Sequence, residues 1–279
     1  MAGRFSNSFA LVKASANVLR LDKELLVFPL MSGVATILVA ASFIAPIFMI
    51  GPEIFIEGEA ASYTAYALGF LLYRVQYTVI FFFNAALVGA ALIGLDGGGP
   101  AVSDGLAIAS KRMGSIIGYA AIAATVGMVL RFVAERAGFL GKIIAGFMGL
   151  AWTLTTYLTV PILVTKDIGP IDAVKESIAI FKRTWGEQVI GNFGMGWAVT
   201  LMAISWTVLG CLLIFVTASM GPVMVIPAVA IMVLGYIFLA LFASALQGIY
   251  TAALYRYAMT GEVGYFDADI MGNAFRPKK

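Results

Sequence analysis

The chain has 279 residues, of which 61% are hydrophobic and only 12% charged, and its mean hydropathy is +0.97. A soluble domain carries about 25% charged residues; no soluble core hides this much apolar surface, so the solvent for most of the chain is lipid. A net charge of +3 is too small to argue for nucleic acid, while a single cysteine, Cys211, and the lack of histidine exclude an intrachain disulfide, histidine catalysis and histidine-ligated metals.

Residues 6–21 read as an amphipathic helix. Leu11, Ala14, Val18 and Leu21 share one face, Lys13, Asn17 and Arg20 share the other, and Phe9 breaks the pattern. No signal-peptide core precedes the first apolar run, so no cleaved targeting segment is expected. Nothing is charged across residues 25–52, longer than the roughly 20 residues a span needs; this is span one. A short acidic loop with Glu53, Glu57 and Glu59 follows, Arg74 interrupts the next apolar run, and residues 75–95 form span two. The Asp96-Gly-Gly-Gly-Pro100 run breaks the helix.

A second amphipathic helix begins at Ala101. Val102, Leu106, Ala109 and Met113 stand at i, i+4, i+7 and i+11. The stripe Val174, Ile178, Phe181 and Trp185 repeats the pattern at a displacement of 72 residues, with Lys111-Arg112 answered by Lys182-Arg183. Each unit is one helix lying on the membrane surface followed by a hairpin of two spans. Residues 113–130 form span three, closed by an Arg131/Glu135 pair, and residues 143–165 form span four, with Thr153, Thr155, Thr156, Tyr157 and Thr159. The run from Gln188 to Tyr255 carries no charge, and Gly221-Pro222 and Pro227 divide it into spans five and six.

The expected architecture is therefore all-α: a polytopic bundle of six transmembrane helices with three cytoplasmic interfacial helices. It is a single membrane domain over residues 1–279, with pseudo-repeats at 6–95, 101–165 and 171–258 and a cytoplasmic tail at 259–279. Most lysines and arginines flank the termini and the two later interfacial helices, whereas Arg74, Arg131, Arg136 and Lys142 fall on the opposite side. Positive charge prefers the cytoplasm, which puts both termini there.

Asp22-Lys-Glu-Leu-Leu-x-Phe-Pro29, Lys182-Arg-Thr-Trp-Gly186, Tyr255-Arg-Tyr257 followed by Gly261-Glu-Val263, and Ala274-Phe-Arg-Pro-Lys278 carry a family likeness. Together they resemble an uncharacterised family of prokaryotic six-span membrane proteins, known as a domain of unknown function. The joint of acid, Gly-Pro, amphipathic helix, basic pair and glycine is more distantly similar to the membrane domain fused to some glycerophosphodiester phosphodiesterases, whose catalytic domain has no counterpart here. The resemblance implies a prokaryotic plasma membrane and supplies no activity or functional residues.

Several residues are candidates for a polar path, each with a structural alternative. Arg74 lines an anion route or snorkels to the headgroups; at the bilayer centre it would cost roughly 2.5–3.5 kcal/mol. Asn84 and Gln247 sit mid-span and either line the path or join two helices as packing contacts. Thr156 and its neighbours line a pore or bond back to their own helix. The turn at residues 96–100 holds a phosphate or simply ends a helix, and Asp267 and Asp269 are too few for a metal site. Lys13, Arg20, Lys111, Arg112, Lys182 and Arg183 form basic edges that meet anionic headgroups, each contributing about 1 kcal/mol. No cofactor is expected. The expected partners are the anionic lipid bilayer and a second copy or other membrane subunits, with no nucleic acid. The sequence offers no nucleophile–base pair, so a lipid-modifying enzyme is the weakest of three readings. Passive passage of ions or small solutes stands first, and a scaffold or accessory subunit of a larger membrane complex second.

Overall fold

The computed structural model describes residues 2–50, 59–136, 138–185, 196–219 and 221–266, and every element among them is helical. In chain order they are α1 (Ala2–Leu21), a 3-10 turn (Lys23–Leu26), α2 (Val27–Ile50), α3 (Glu59–Leu95), α4 (Val102–Lys111) and α5 (Met113–Arg136). There follow α6 (Gly138–Thr155), α7 (Thr159–Thr165), α8 (Pro170–Trp185), α9 (Gly196–Ala218) and α10 (Pro222–Thr260). Among the described residues, six segments are long and apolar enough to cross a membrane: Lys23–Pro46, Ala67–Leu95, Met113–Arg136, Gly138–Thr165, Ala198–Ala218 and Val223–Thr260. The protein is a multi-pass membrane protein.

The packing follows one rule three times. The second helix of each hairpin (α3, α6–α7 and α10) runs toward the centre, where α3 meets both α7 and α10. The first helix of each hairpin packs on its partner, α2 on α3, α5 on α6 and α9 on α10, and α5 also packs on α3. Each short amphipathic helix lies on the second helix of the hairpin before it: α4 on α3, α8 on α6–α7, and α1 on α10, which closes the circle. The core sits where the three inner helices converge, around Ala85–Ala91 of α3 (with Leu87 and Val88 fully enclosed), Leu158–Val164, and Leu246, Ile249, Tyr250 and Leu254 of α10. These residues lie toward the end that carries Asp22, Asp96, Asp167 and Glu262, here termed the basic end.

Three small residues make the surface helices fit. Ser15 and Ser177 are 0% exposed, and Gly105 is buried at the matching place in α4. Each is followed four residues later by a buried apolar side chain: Leu19, Ala109 and Phe181. A Cβ at Gly105 would stand 2.6 Å from the Phe28 ring and 2.5 Å from the Ala86 carbonyl oxygen, so α4 approaches α3 more closely than any other residue permits. This corrects the sequence-based stripes by one position. Leu21 is 65% exposed and Met113 37%, while Gly105 and Ser177 take the centre of the contact. Leu11, Val18, Ala109 and Phe181 of those stripes are buried as expected.

Two boundaries also differ from expectation. Span two does not begin after Arg74. The helix is continuous for 37 residues from Glu59, about 55 Å, because nothing in residues 60–74 obliges it to stop. Span four is not continuous: it breaks at residues 156–158 between α6 and α7. Pro161 accounts for the break, since it has no N–H for the Tyr157 carbonyl four residues earlier and its ring crowds that carbonyl. Helix α10 runs to Thr260 and ends on Gly261 at φ 76°, a left-handed cap whose N–H bonds the Tyr257 carbonyl. The expected tail therefore starts at 261. Glu53, Glu57, Gln188, Asn192, Asp267 and Asp269 lie outside the described residues.

Candidate functional site

The basic end is tied together by side chains that close the hairpin exits. Arg256 reaches the Leu95 carbonyl, the Asp96 carboxylate at 3.2 Å and the Glu262 carboxylate at 2.6 Å. Glu24 accepts the Val102 N–H at 3.0 Å, and Asp104 accepts that of Ala101 at 3.0 Å. Carboxylates therefore take the first two backbone N–H groups at the N-terminus of α4. Arg112 pairs with Asp167, and Lys166 pairs with Glu176. The Glu176 carboxylate holds the Lys166 ammonium above its ordinary range. Asp22 is pushed up by desolvation, and secondarily by Glu24; it lies so close to α3 that a Cβ at Gly94 would come within 2.6 Å of its carboxylate.

Of the basic residues expected at the lipid surface, Arg112 is taken out of that role by its pairing with Asp167, with only 23% of its side chain exposed. Arg183 is exposed and reaches the Ala258 carbonyl at 3.4 Å. Lys13, Arg20, Lys111 and Lys182 are exposed.

Beyond the core the three inner helices separate, and a cavity of about 420 Å³ opens between α3, α5, α6 and α10. Asn84 of α3, Thr156 at the break of span four and Gln247 of α10 all line it. Each inner helix thus brings one polar side chain to the same level of the bundle. Counted at 1.5 Å per residue from Leu95, Asn84 lies roughly 16 Å inside, near the bilayer middle. Gln247 donates to the Tyr157 hydroxyl. Thr251 donates to the Gln247 carbonyl at 2.8 Å, and Thr156 to the Trp152 carbonyl at 2.7 Å. A second cavity of about 200 Å³ lies on the α2 side, and Asn84, Gln247 and Thr251 line both. The seam between α3 and α10 separates them, held close because a side chain at Gly248 would collide with Leu87.

The break itself is closed by Ser177. Its hydroxyl donates to the Thr155 carbonyl at 2.7 Å and accepts the Leu158 N–H at 3.2 Å. An interrupted helix is tolerated inside a membrane only when its freed backbone groups find such partners. Here the partner comes from the surface helix α8.

An aromatic ladder leads from the cavity to the far end. Phe81 and Tyr119 have ring centroids 4.6 Å apart, Tyr77 and Phe81 5.7 Å, and Tyr73 and Tyr77 6.3 Å. Arg131 caps the ladder, donating to the Tyr73 hydroxyl at 2.9 Å and pairing with Glu135 at 2.7 Å. Arg74 is exposed, and neither it nor Arg131 lines the cavity. Thr153 lines the cavity and bonds back to the Gly149 carbonyl at 2.9 Å, and Thr155 bonds back to Ala151 at 2.8 Å. Sequence reasoning missed the ladder, Ser177 and Thr251. The i, i+4, i+8 spacing of Tyr73, Tyr77 and Phe81 was the available sign of the first, and Pro161 the sign of a break needing a partner.

Comparison with curated proteins gives no match, and comparison with solved structures gives none. A family of unknown function, DUF6159, matches residues 63–265, a stretch that contains every residue lining the 420 Å³ cavity, and the chain belongs to that family.

Proposed function

We propose that the protein is a non-enzymatic passive pathway for small solutes, with uncharged solutes favoured. The observation that carries this reading is the convergence of Asn84, Thr156 and Gln247, one from each inner helix, on one cavity at mid-bilayer depth. Packing contacts alone would not require all three polar groups at the same place. Toward the basic end the route is closed by the fully buried side chains of Leu87, Leu158 and Leu246, so the structure corresponds to a state closed on that side. Parting of the inner helix ends would complete the path. The lining residues carry no charge to compensate an ion, which favours neutral cargo.

In this reading the basic end faces the cytoplasm of a prokaryote, and Lys13, Arg20, Lys111, Lys182 and Arg183 seat the bundle on anionic headgroups. Stopped-flow swelling of proteoliposomes tests the pathway. Polyols should enter faster than in empty vesicles, and potassium and chloride should not. Polyol entry no faster than in empty vesicles would leave the scaffold reading in its place. Charge reversal at Lys111 and Lys182 should weaken retention of anionic lipid in detergent; unchanged retention would exclude the proposed seat.

A further inference from the structure

The cavity carries more than its depth. The Asn84 amide has no hydrogen-bond partner among the described residues, although it lies where no bulk water is available. Gln247 spends one N–H on Tyr157 and keeps another, with its carbonyl oxygen. Two amides side by side thus present donors and acceptors together, and they need a partner that supplies both. A carboxylate only accepts, an ammonium only donates, and either would bury an unpaired charge. A hydroxyl does both and is neutral. Phe81, Tyr119 and Trp152 line the same cavity, and aromatic rings suit the weakly positive C–H groups of a saturated ring. A volume of about 420 Å³ is within the range of small-ligand sites.

We infer that this cavity binds an uncharged polyhydroxylated ring, its hydroxyls on Asn84 and Gln247 and its C–H face on the aromatic wall. The inference rests on reading the cavity as the solute site. The ring comes either free from solution or as the headgroup of a neutral glycolipid entering between α6 and α10, where Thr153 and Gln247 are exposed.

Trp152 supplies the test, because it lines the cavity. The full-length protein in phosphatidylcholine nanodiscs is titrated with glucose and myo-inositol, and with the charged analogues glucosamine and glucuronate, while tryptophan emission is followed. A parallel set of nanodiscs contains monoglucosyl diacylglycerol. A saturable change with glucose or inositol, at least tenfold weaker with both charged analogues and absent in Trp152→Phe, is expected for a free ring. A change confined to the glycolipid nanodiscs assigns the ring to a lipid and equally supports the inference. Asn84→Leu should weaken binding at least tenfold, and Gln247→Met serves where Asn84→Leu does not fold. Glucuronate or glucosamine binding as tightly as glucose, or no response in either arm, would overturn the inference. Sugar binding without vesicle flux supports this ligand and overturns the pathway; flux without any sugar response does the reverse.

Discussion

Single residues at the basic end show how much of this protein is set by charges held in awkward places. Asp22 is the clearest case. Its carboxyl is desolvated against α3, so its folded-state pKa lies above the ordinary 3.8. A group whose pKa is raised on folding stabilises the fold while protonated and loses that contribution as pH rises through the folded value. Asp22→Asn, neutral at every pH, should therefore unfold at a higher temperature than the parent at pH 7 and at the same temperature near pH 3. A thermal-shift series in detergent measures this; an equal gain at both values would mean that the charge is not the cause. Asp22 was legible in the sequence as part of an acidic-basic cluster, but its proximity to Gly94 was not, because that contact spans two helices. The same limit applied to Asn84 and Gln247. Their residue types announced a polar need in lipid, and their meeting required the fold.

At the scale of the element, the broken fourth span is the informative feature. The sequence predicted the span because its apolar run is long, and it concealed the break because residues 156–158 are no more polar than their neighbours. Ser177 and Pro161 are two halves of one arrangement: the proline frees backbone groups and the serine satisfies them. Ser177→Ala leaves the Leu158 N–H and the Thr155 carbonyl unpaired in a dry place, at about 1–3 kcal/mol for each group. Adding Pro161→Ala restores an N–H for the Tyr157 carbonyl and lets one helix run through, so both freed groups find partners within it. The double variant should recover a large part of the stability lost in Ser177→Ala, a non-additivity that denaturant unfolding reads directly. Simple additivity would show that α8 and the break are independent. The surface helices teach a related lesson. Their amphipathic character and part of the buried stripe (Leu11, Val18, Ala109 and Phe181) were legible, but its centre at Ser15, Gly105 and Ser177 was not, because small residues carry no apolar signal.

For the whole molecule, the threefold rule of packing was half legible. The 72-residue repeat of α4 and α8 stood out, whereas α1 does not share that spacing and its seat on α10 came only with the structure. If the inner helix ends gate the path, Leu87→Ala should open it. Polyol flux through the variant should exceed that of the parent several-fold, and unchanged flux would place the barrier elsewhere. Arg256 ties α10 to the exit of α3, with 19% of its side chain exposed. Arg256→Ala removes hydrogen bonds between charged groups worth about 1.5–3 kcal/mol, and a matching fall in unfolding temperature is expected. That link also has a consequence for synthesis. Arg256 bonds a carbonyl 161 residues earlier in the chain, whereas Glu24 and Val102 are only 78 apart. During synthesis the first tie can form while the second hairpin is still being made. The Leu95 carbonyl and Asp96 must wait for the sixth span. Until that helix arrives, the nascent protein carries an open polar exit on its first hairpin, which leaves an unfinished chain chemically distinct from a finished one.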